Sequence, residues 1–101
     1  MKTYPILFSR KARNDIFHIY DYIAYELAMP NTAIKYFDGI NDTIRKLAIT
    51  GASYAVSRRE YLKIQYGADV RTVTYKKMTI GYNIVDDTVY IRRVMPGSMV
   101  F

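Results

Sequence analysis

Two apolar stripes with helical spacing, separated by Pro30, constrain the fold of this chain more than any other feature. The first stripe consists of Ala12, Ile16, Ile19, Ile23 and Leu27. The second consists of Ala33, Phe37, Ile40, Ile44 and Leu47. Residues that recur every three to four positions share one side of an α-helix. The sequence therefore predicts two amphipathic helices that form an antiparallel hairpin.

The expected ends of these helices follow from single residues. Ser9 is a suitable N-cap for the first helix and Asn31 for the second. Pro30 should end the first helix, because its ring removes a hydrogen-bond donor and clashes with the preceding turn. Thr50-Gly51 is the expected end of the second helix. Gly39 either weakens that helix or lets a neighbouring element approach closely.

Strand-forming residues dominate the rest of the chain. Alternation and β-branched or aromatic content predict strands at residues 4–8, 61–66, 70–75, 78–84 and 88–95. Residues 52–59 have no period and are expected to be a loop. Short turns between the later strands, including Asp86-Asp87, predict an antiparallel meander. The expected fold is one α+β domain over residues 1–101, with the helix hairpin on one face of a three- to four-stranded, mainly antiparallel sheet and the other face partly open.

Composition excludes several classes of protein. The chain has 101 residues, which is the size of one domain. Without cysteine it is no disulfide scaffold or zinc finger and has no thiol nucleophile. No apolar run approaches the roughly 18 residues of a membrane span, and the N-terminus does not resemble a signal peptide, so a cytoplasmic location is expected. The net charge of +6 favours anionic partners.

No motif of a catalytic or cofactor site stands out. His18 is the only histidine and lies opposite the apolar stripe, so it is expected to be an exposed residue rather than a metal ligand. Asp86 and Asp87 are adjacent and would point to opposite sides of a strand, which favours a turn over a carboxylate pair. There is no glycine-rich phosphate loop. We expect no metal site and no cofactor.

Basic residues interleaved with tyrosines are the more informative pattern. Arg58, Arg59, Lys63, Arg71, Arg92 and Arg93 lie in the predicted sheet or its turns, among Tyr61, Tyr66, Tyr75, Tyr82 and Tyr90. Arginine binds carboxylates or phosphates and tyrosine stacks on partners, so these residues form either a binding face or an ordinary basic surface. Adjacent strand residues face opposite sides, so one of Arg92 and Arg93 should point toward the helices and need an acidic partner. Arg71 is either part of a structural contact or a functional group.

Several segments together resemble the RelE/ParE toxin superfamily of bacterial type II toxin–antitoxin modules, and more closely its ParE-like (plasmid stabilisation) branch. One is Phe8-Ser9-Arg10-Lys11-Ala12-Arg13-Asn14-Asp15-Ile16, and another is Ile19-Tyr20-Asp21-Tyr22-Ile23. Ala33 and Ile44-x-x-Leu47 match the second helix. Val70-Arg71 and the run from Tyr82 to Val94 resemble the strands at the end of the family's domain.

The resemblance implies a growth-inhibiting toxin neutralised by an acidic antitoxin that wraps it in a hetero-oligomer. ParE-like members act on DNA gyrase, whereas RelE-like members are ribosome-dependent mRNA endonucleases. As an inhibitor, the chain would use a contact set for target or antitoxin that comprises Arg58, Arg59, Lys63, Tyr66, Arg71, Arg92, Arg93, Met99 and Phe101. As a nuclease, it would draw its catalytic residues from Lys63, Tyr66, Arg71, Tyr82 and Tyr90.

The chain departs from the RelE pattern at two places. The RelE-type arginine of the central strand would fall near Thr79, and the chain ends in Pro96-Gly97-Ser98-Met99-Val100-Phe101 rather than in a histidine and a later arginine. These departures favour the gyrase inhibitor over the nuclease. A detoxified relative that only binds its antitoxin is the third alternative.

Overall fold

A four-stranded mixed sheet forms the middle of the fold in the computed structural model, which describes residues 3–96. The elements are β1 (Ile6–Phe8), α1 (Arg10–Asp21), a π-helical turn (Tyr22–Glu26), α2 (Pro30–Thr50), a 3₁₀ turn (Gly51–Ser53), α3 (Glu60–Tyr66), β2 (Arg71–Tyr75), β3 (Met78–Val85) and β4 (Thr88–Pro96). The strand order is β1-β4-β3-β2. β1 runs parallel to β4, and the other pairs are antiparallel. The predicted α+β architecture is confirmed.

The main core lies between the two long helices and one face of the sheet. Apolar residues at helical spacing in α1 and α2 pack against the alternate residues of β3 and β4; the fully buried members include Ala12, Ile40, Leu47, Ile80 and Ile91. The hydroxyl of Ser9 accepts a hydrogen bond from the backbone N–H of Ala12 (3.0 Å), so Ser9 is the N-cap of α1 as predicted. No helix within residues 3–96 is long and apolar enough to span a membrane.

The connection between the helices differs from the prediction. α1 ends at Asp21 and passes into the π-helical turn, and the chain then reverses at Ala28, which has φ of 52°. Pro30 begins α2 instead of ending the first helix, and Met29 rather than Asn31 is the N-cap. Proline suits the first position of a helix because that N–H has no partner within the helix.

The predicted strand at residues 61–66 is wrong, because the segment Glu60–Tyr66 is the helix α3. Only Leu62 is fully buried, whereas Tyr61 and Ile64 are exposed. An apolar run this short does not distinguish a strand from one helical face. Leu62 packs with Val70 and Met95 on the sheet face opposite the long helices, so that face is more covered than predicted.

Two details of the strands position the residues discussed below. The turn at Asp86 and Asp87 has positive φ at both residues (50° and 59°), which confirms the predicted tight turn. The register of β3 and β4 shifts between Gly81 and Tyr82: Gly81 faces Arg93 and Tyr82 faces Ile91. Arg92 is therefore the extra residue of a β-bulge, which breaks the alternation assumed for Arg92 and Arg93.

Candidate functional site

Tyr82, a candidate for nuclease catalysis, is a buried structural residue. It faces the helices, its exposed fraction is zero, and its hydroxyl donates a hydrogen bond to the carbonyl of Gly51 (2.6 Å). Burial raises the pKa of Tyr82 to about 12, although the charge of Arg71 partly opposes this. The hydroxyl of Tyr82 is therefore buried and bonded to the backbone rather than exposed on a surface.

Arg71 bonds to the same segment of the chain as Tyr82 does. It faces Tyr82 across the β2–β3 pair, and its Nη1 donates to the carbonyls of Tyr54 and, more weakly, Ala52 (3.5 Å). Val56 also forms an isolated antiparallel bridge with Arg71. These contacts place the guanidinium of Arg71 against the segment that follows α2.

The cations before and within α3 are placed differently from one another. Arg58 is exposed. Nη1 of Arg59 donates to the hydroxyl of Thr79 (3.3 Å), which is only 3% exposed. Nζ of Lys63 lies 3.8 Å from Oε1 of the exposed Glu60, a weak surface pair. A guanidinium from the loop before α3 thus reaches Thr79 on β3, near which the RelE-type arginine was expected to be missing.

Arg93 has the acidic partner that a buried strand arginine was expected to need. Its Nε and Nη2 donate to the two carboxylate oxygens of Asp15 in α1 (2.7 and 3.1 Å). Asp15 also accepts the backbone N–H of Val94 (2.9 Å). β1 pairs with β4 only as far as Ile91. Beyond that point, the carboxylate of Asp15 accepts a backbone N–H of β4 in place of a strand partner. Mainly this hydrogen bond to Asp15 raises the pKa of Arg93 above its usual range.

Arg92 is held by neutral groups instead. Its Nε donates to Oδ1 of Asn83 (2.9 Å), and its guanidinium lies 5.2 Å from the ring centroid of Tyr90. Asn83 is 2% exposed, and its Nδ2 donates to the carbonyl of Tyr66 (3.1 Å) and to Oδ1 of Asp69 (3.2 Å). Within residues 3–96, neither terminal nitrogen of Arg92 has a hydrogen-bond partner.

A groove of about 520 Å³ adjoins the Arg93–Asp15 pair. Apolar side chains of α1, the π-helical turn and the start of α2 line it, among them Ile19, Tyr22 and Leu27, together with the last residues of β4. Tyr22 and Leu27 are about half exposed (57% and 48%). The groove offers apolar surface on the helix side, away from Arg92.

The structure divides the predicted site residues into separate groups. One group lies together around the bulge in the middle of the β3–β4 pair: Tyr66, Tyr90, Arg92 and Arg93. Arg71 and Tyr82 lie on the helix side, and Lys63, Arg58 and Arg59 belong to α3 and the loop before it. Met99 and Phe101 lie outside the described residues. Within the described part of the chain, no group of three His, Cys, Asp or Glu residues is arranged to hold a metal.

Three members of the Arg92 and Arg93 contacts were missed from the sequence: Asp15, Asp69 and Asn83. Asn83 carried a signal, because it is the amide in the middle of a strand whose neighbours are apolar. Such a residue needs hydrogen-bond partners when it is buried. Asp15 gave no comparable signal, since its partner lies 78 residues away.

This arrangement of a helix hairpin on a four-stranded sheet also occurs in known proteins. The protein-family model for the ParE toxin of type II toxin–antitoxin systems (parDE) matches residues 6–101 of this sequence. The chain belongs to the ParE toxin family. It is thus a toxin of the type II toxin–antitoxin class, as the sequence resemblance predicted.

Solved structures of other toxins share the fold. A chain of the chromosomal ParDE toxin–antitoxin system from P. aeruginosa superposes with a TM-score of 0.77 at 22% identity, covering 93% of this chain and 96% of that one. A chain of the RelBE2 toxin–antitoxin complex from Mycobacterium tuberculosis superposes with a TM-score of 0.64 at 19% identity, covering 93% of this chain and 98% of that one. The search of curated proteins found no match. At these identities the structures support the ParE/RelE fold.

Proposed function

We propose that this ParE-family chain arrests growth by binding DNA gyrase, and that it is not a nuclease. The observation that carries the proposal is that Tyr82 and Arg71, two of the candidate catalytic residues, bond to backbone carbonyls of residues 51–54. Both side chains thus stabilise the segment that follows α2. Gyrase as the target is supported by the match to the ParE model, because the sequence resemblance associates ParE-like members of the superfamily with gyrase.

The proposed partner that neutralises the toxin is a cognate acidic antitoxin, bound in a hetero-oligomer in the cytoplasm. The P. aeruginosa and M. tuberculosis neighbours belong to toxin–antitoxin systems. The net charge of +6 on this chain would attract an acidic partner and speed its association. Two arginines of the predicted contact set are candidates for such contacts: Arg58 is exposed, and the terminal nitrogens of Arg92 have no hydrogen-bond partner within residues 3–96.

One observation favours the alternative, a ribosome-dependent mRNA endonuclease. The side chain of Arg59 bonds to Thr79, so a guanidinium does lie near the position where RelE-like enzymes have one. Tyr66 and Tyr90 would then have to share the proton transfers with Lys63, since Tyr82 is buried. A detoxified relative that only binds its antitoxin would differ from both in having no effect on growth.

Purified gyrase separates these functions. The wild-type chain is added over a concentration series to a supercoiling reaction, and in parallel to a translation reaction whose mRNA is probed for cuts. We expect supercoiling to be lost while the mRNA stays intact. Cut mRNA with unaffected supercoiling would establish the endonuclease instead, and no effect in either reaction, from folded protein, would point to a detoxified relative.

A further inference from the structure

We propose that Arg92 forms a carboxylate-binding site, oriented by Asn83 and Tyr90, which takes one Glu or Asp side chain of an acidic peptide. The proposal deepens the proposed function, since an antitoxin would supply the peptide. It starts from the hydrogen bond between Nε of Arg92 and Oδ1 of Asn83 (2.9 Å). This contact uses Nε of the guanidinium, and the two terminal nitrogens have no hydrogen-bond partner within the described residues. Two parallel N–H groups fit a carboxylate bidentately.

Asn83 is fixed before any ligand arrives. The side chain is 2% exposed, and its amide nitrogen donates to both Tyr66 and Asp69, so its oxygen can only face Arg92. The bulge at Arg92 and the hydrogen bond from the Ser9 hydroxyl to the Arg92 carbonyl (2.8 Å) fix the backbone as well. A guanidinium held in one orientation loses less conformational entropy when it binds.

Tyr90 supplies the remaining wall. The guanidinium lies 5.2 Å from the centroid of its ring, within the range of a cation–π contact. Because Asn83 and Tyr90 are both neutral, neither compensates the positive charge of Arg92 that they orient. Arg93, the next residue along β4, is instead compensated by Asp15.

The charges around the site favour a carboxylate over a nucleic-acid backbone. Polyphosphate chains are held by several cations acting together. Of the two adjacent arginines of β4, only Arg92 is without an ion-pair partner within residues 3–96, and Asp69 adds a negative charge behind Asn83. A single guanidinium that has no ion-pair partner within residues 3–96, and that lies near the carboxylate of Asp69, suits one acidic side chain better than a strand of phosphates.

The test uses the full chain labelled with ¹⁵N and a synthetic peptide of alternating Glu and Ser, followed by NMR. We expect the Nε resonance of Arg92 to shift saturably with the peptide, and a Gln–Ser peptide to leave it unchanged. Arg92→Gln should weaken the peptide about tenfold, as loss of a bidentate charged contact implies. Arg10→Gln, which removes an equally positive, exposed side chain from α1, is the matched control and should change affinity by less than about twofold.

The proposed role of Asn83, which is to orient Arg92, is tested by comparing its effect on peptide affinity with and without Arg92. Asn83→Ala should weaken the peptide about fivefold in the wild-type background and have no further effect in Arg92→Gln, because it acts through Arg92. Equal losses in both backgrounds would contradict the positioning role. Urea titrations of each variant show what fraction is folded.

Three results would overturn the site itself: an Arg92 resonance that ignores the peptide, equal losses from Arg92→Gln and Arg10→Gln, or an oligouridylate that shifts the same resonance at lower concentration than the peptide. The last would assign Arg92 to nucleic acid. Failure of gyrase inhibition is scored separately in the supercoiling reaction, so peptide binding without inhibition would reject the gyrase target and keep the site.

Discussion

The two faces of the sheet use tyrosine and arginine for different purposes. On the face toward the long helices, Tyr82 and Arg71 are bonded to backbone carbonyls of residues 51–54. On the opposite face, Tyr90 and Arg92 are half-buried, and the side chain of Arg92 bonds to a neutral amide. The same residue types therefore stabilise the fold on one face and remain available to a partner on the other. Position relative to the helix hairpin, not residue type, separates the two roles.

The Asp15–Arg93 pair, which joins α1 to β4, should show the largest effect on stability when it is broken. Asp15→Asn removes the charge that Arg93 and the N–H of Val94 share, and both side chains of the pair are mostly buried (22% and 15% exposed). We expect a loss of roughly 3 kcal/mol in the free energy of unfolding, measured with urea. Asp42→Asn is the matched control: Asp42 pairs with Arg45 where both are exposed, and it should cost less than about 1 kcal/mol. Equal losses would show that Asp15 contributes no more than a surface charge.

Alkaline pH should destabilise the helix face through Tyr82. Its pKa is raised from 10.0 to about 12 in the folded chain, so the unfolded chain loses this proton first. Between these pH values the unfolded state binds fewer protons, and stability falls as pH rises; below about pH 10 the contribution is constant. Relative to Tyr82→Phe, the wild-type chain should lose about 2.5 kcal/mol between pH 10 and 12. Parallel stability curves for the two proteins would contradict the burial of this hydroxyl.

Glycine substitutions compare how tightly the two faces are packed. A Cβ at Gly39 in α2 would overlap the ring of Tyr75, whereas a Cβ at Gly81 would lie 3.9 Å from the nearest atom, Cδ2 of Leu62. Gly39→Ala should therefore cost about 2 kcal/mol, although alanine is the better helix former. Gly81→Ala should change stability by less than about 1 kcal/mol. Thermal unfolding of both variants measures this, and a stabilised Gly39→Ala would refute the close contact between α2 and Tyr75.

The smallest effects should come from the arginines themselves. Arg71→Gln removes hydrogen bonds to the segment after α2 and should cost about 1 kcal/mol. Arg92→Gln should cost about 1 kcal/mol, because it removes the Nε donor that bonds to Oδ1 of the buried Asn83. Urea unfolding compares the two variants. A larger loss for Arg92→Gln would mean that this side chain serves the fold and not a partner.

Periodic patterns made much of the fold predictable. The two helical stripes gave the hairpin, and the alternation of Met78, Ile80, Tyr82 and Ile84 already placed Tyr82 on an apolar face. Local patterns failed at Pro30, where a residue that ends one helix equally well begins another, and at residues 61–66, where the apolar run was too short to reveal its period.

The candidate site was predictable in its residue types but not in its contacts. The basic and aromatic residues of β4 were identified, whereas the bulge at Arg92 depends on its pairing with β3 and has no local sequence signal. The partners of Arg92 and Arg93 are Asn83 and Asp15, 9 and 78 residues away. Only the assembled sheet shows that Arg93 has an ion-pair partner and that Arg92 has none within residues 3–96.

The most direct test of the account is gyrase supercoiling with the wild-type chain and with Tyr82→Phe, each at a temperature where urea titration shows it folded, beside a translation reaction probed for cut mRNA. If the chain acts by binding and Tyr82 only supports the fold, both proteins will inhibit supercoiling to the same extent and the mRNA will stay intact. Cut mRNA with the wild-type chain and intact mRNA with folded Tyr82→Phe would contradict the account, because they would make the buried tyrosine a catalytic residue.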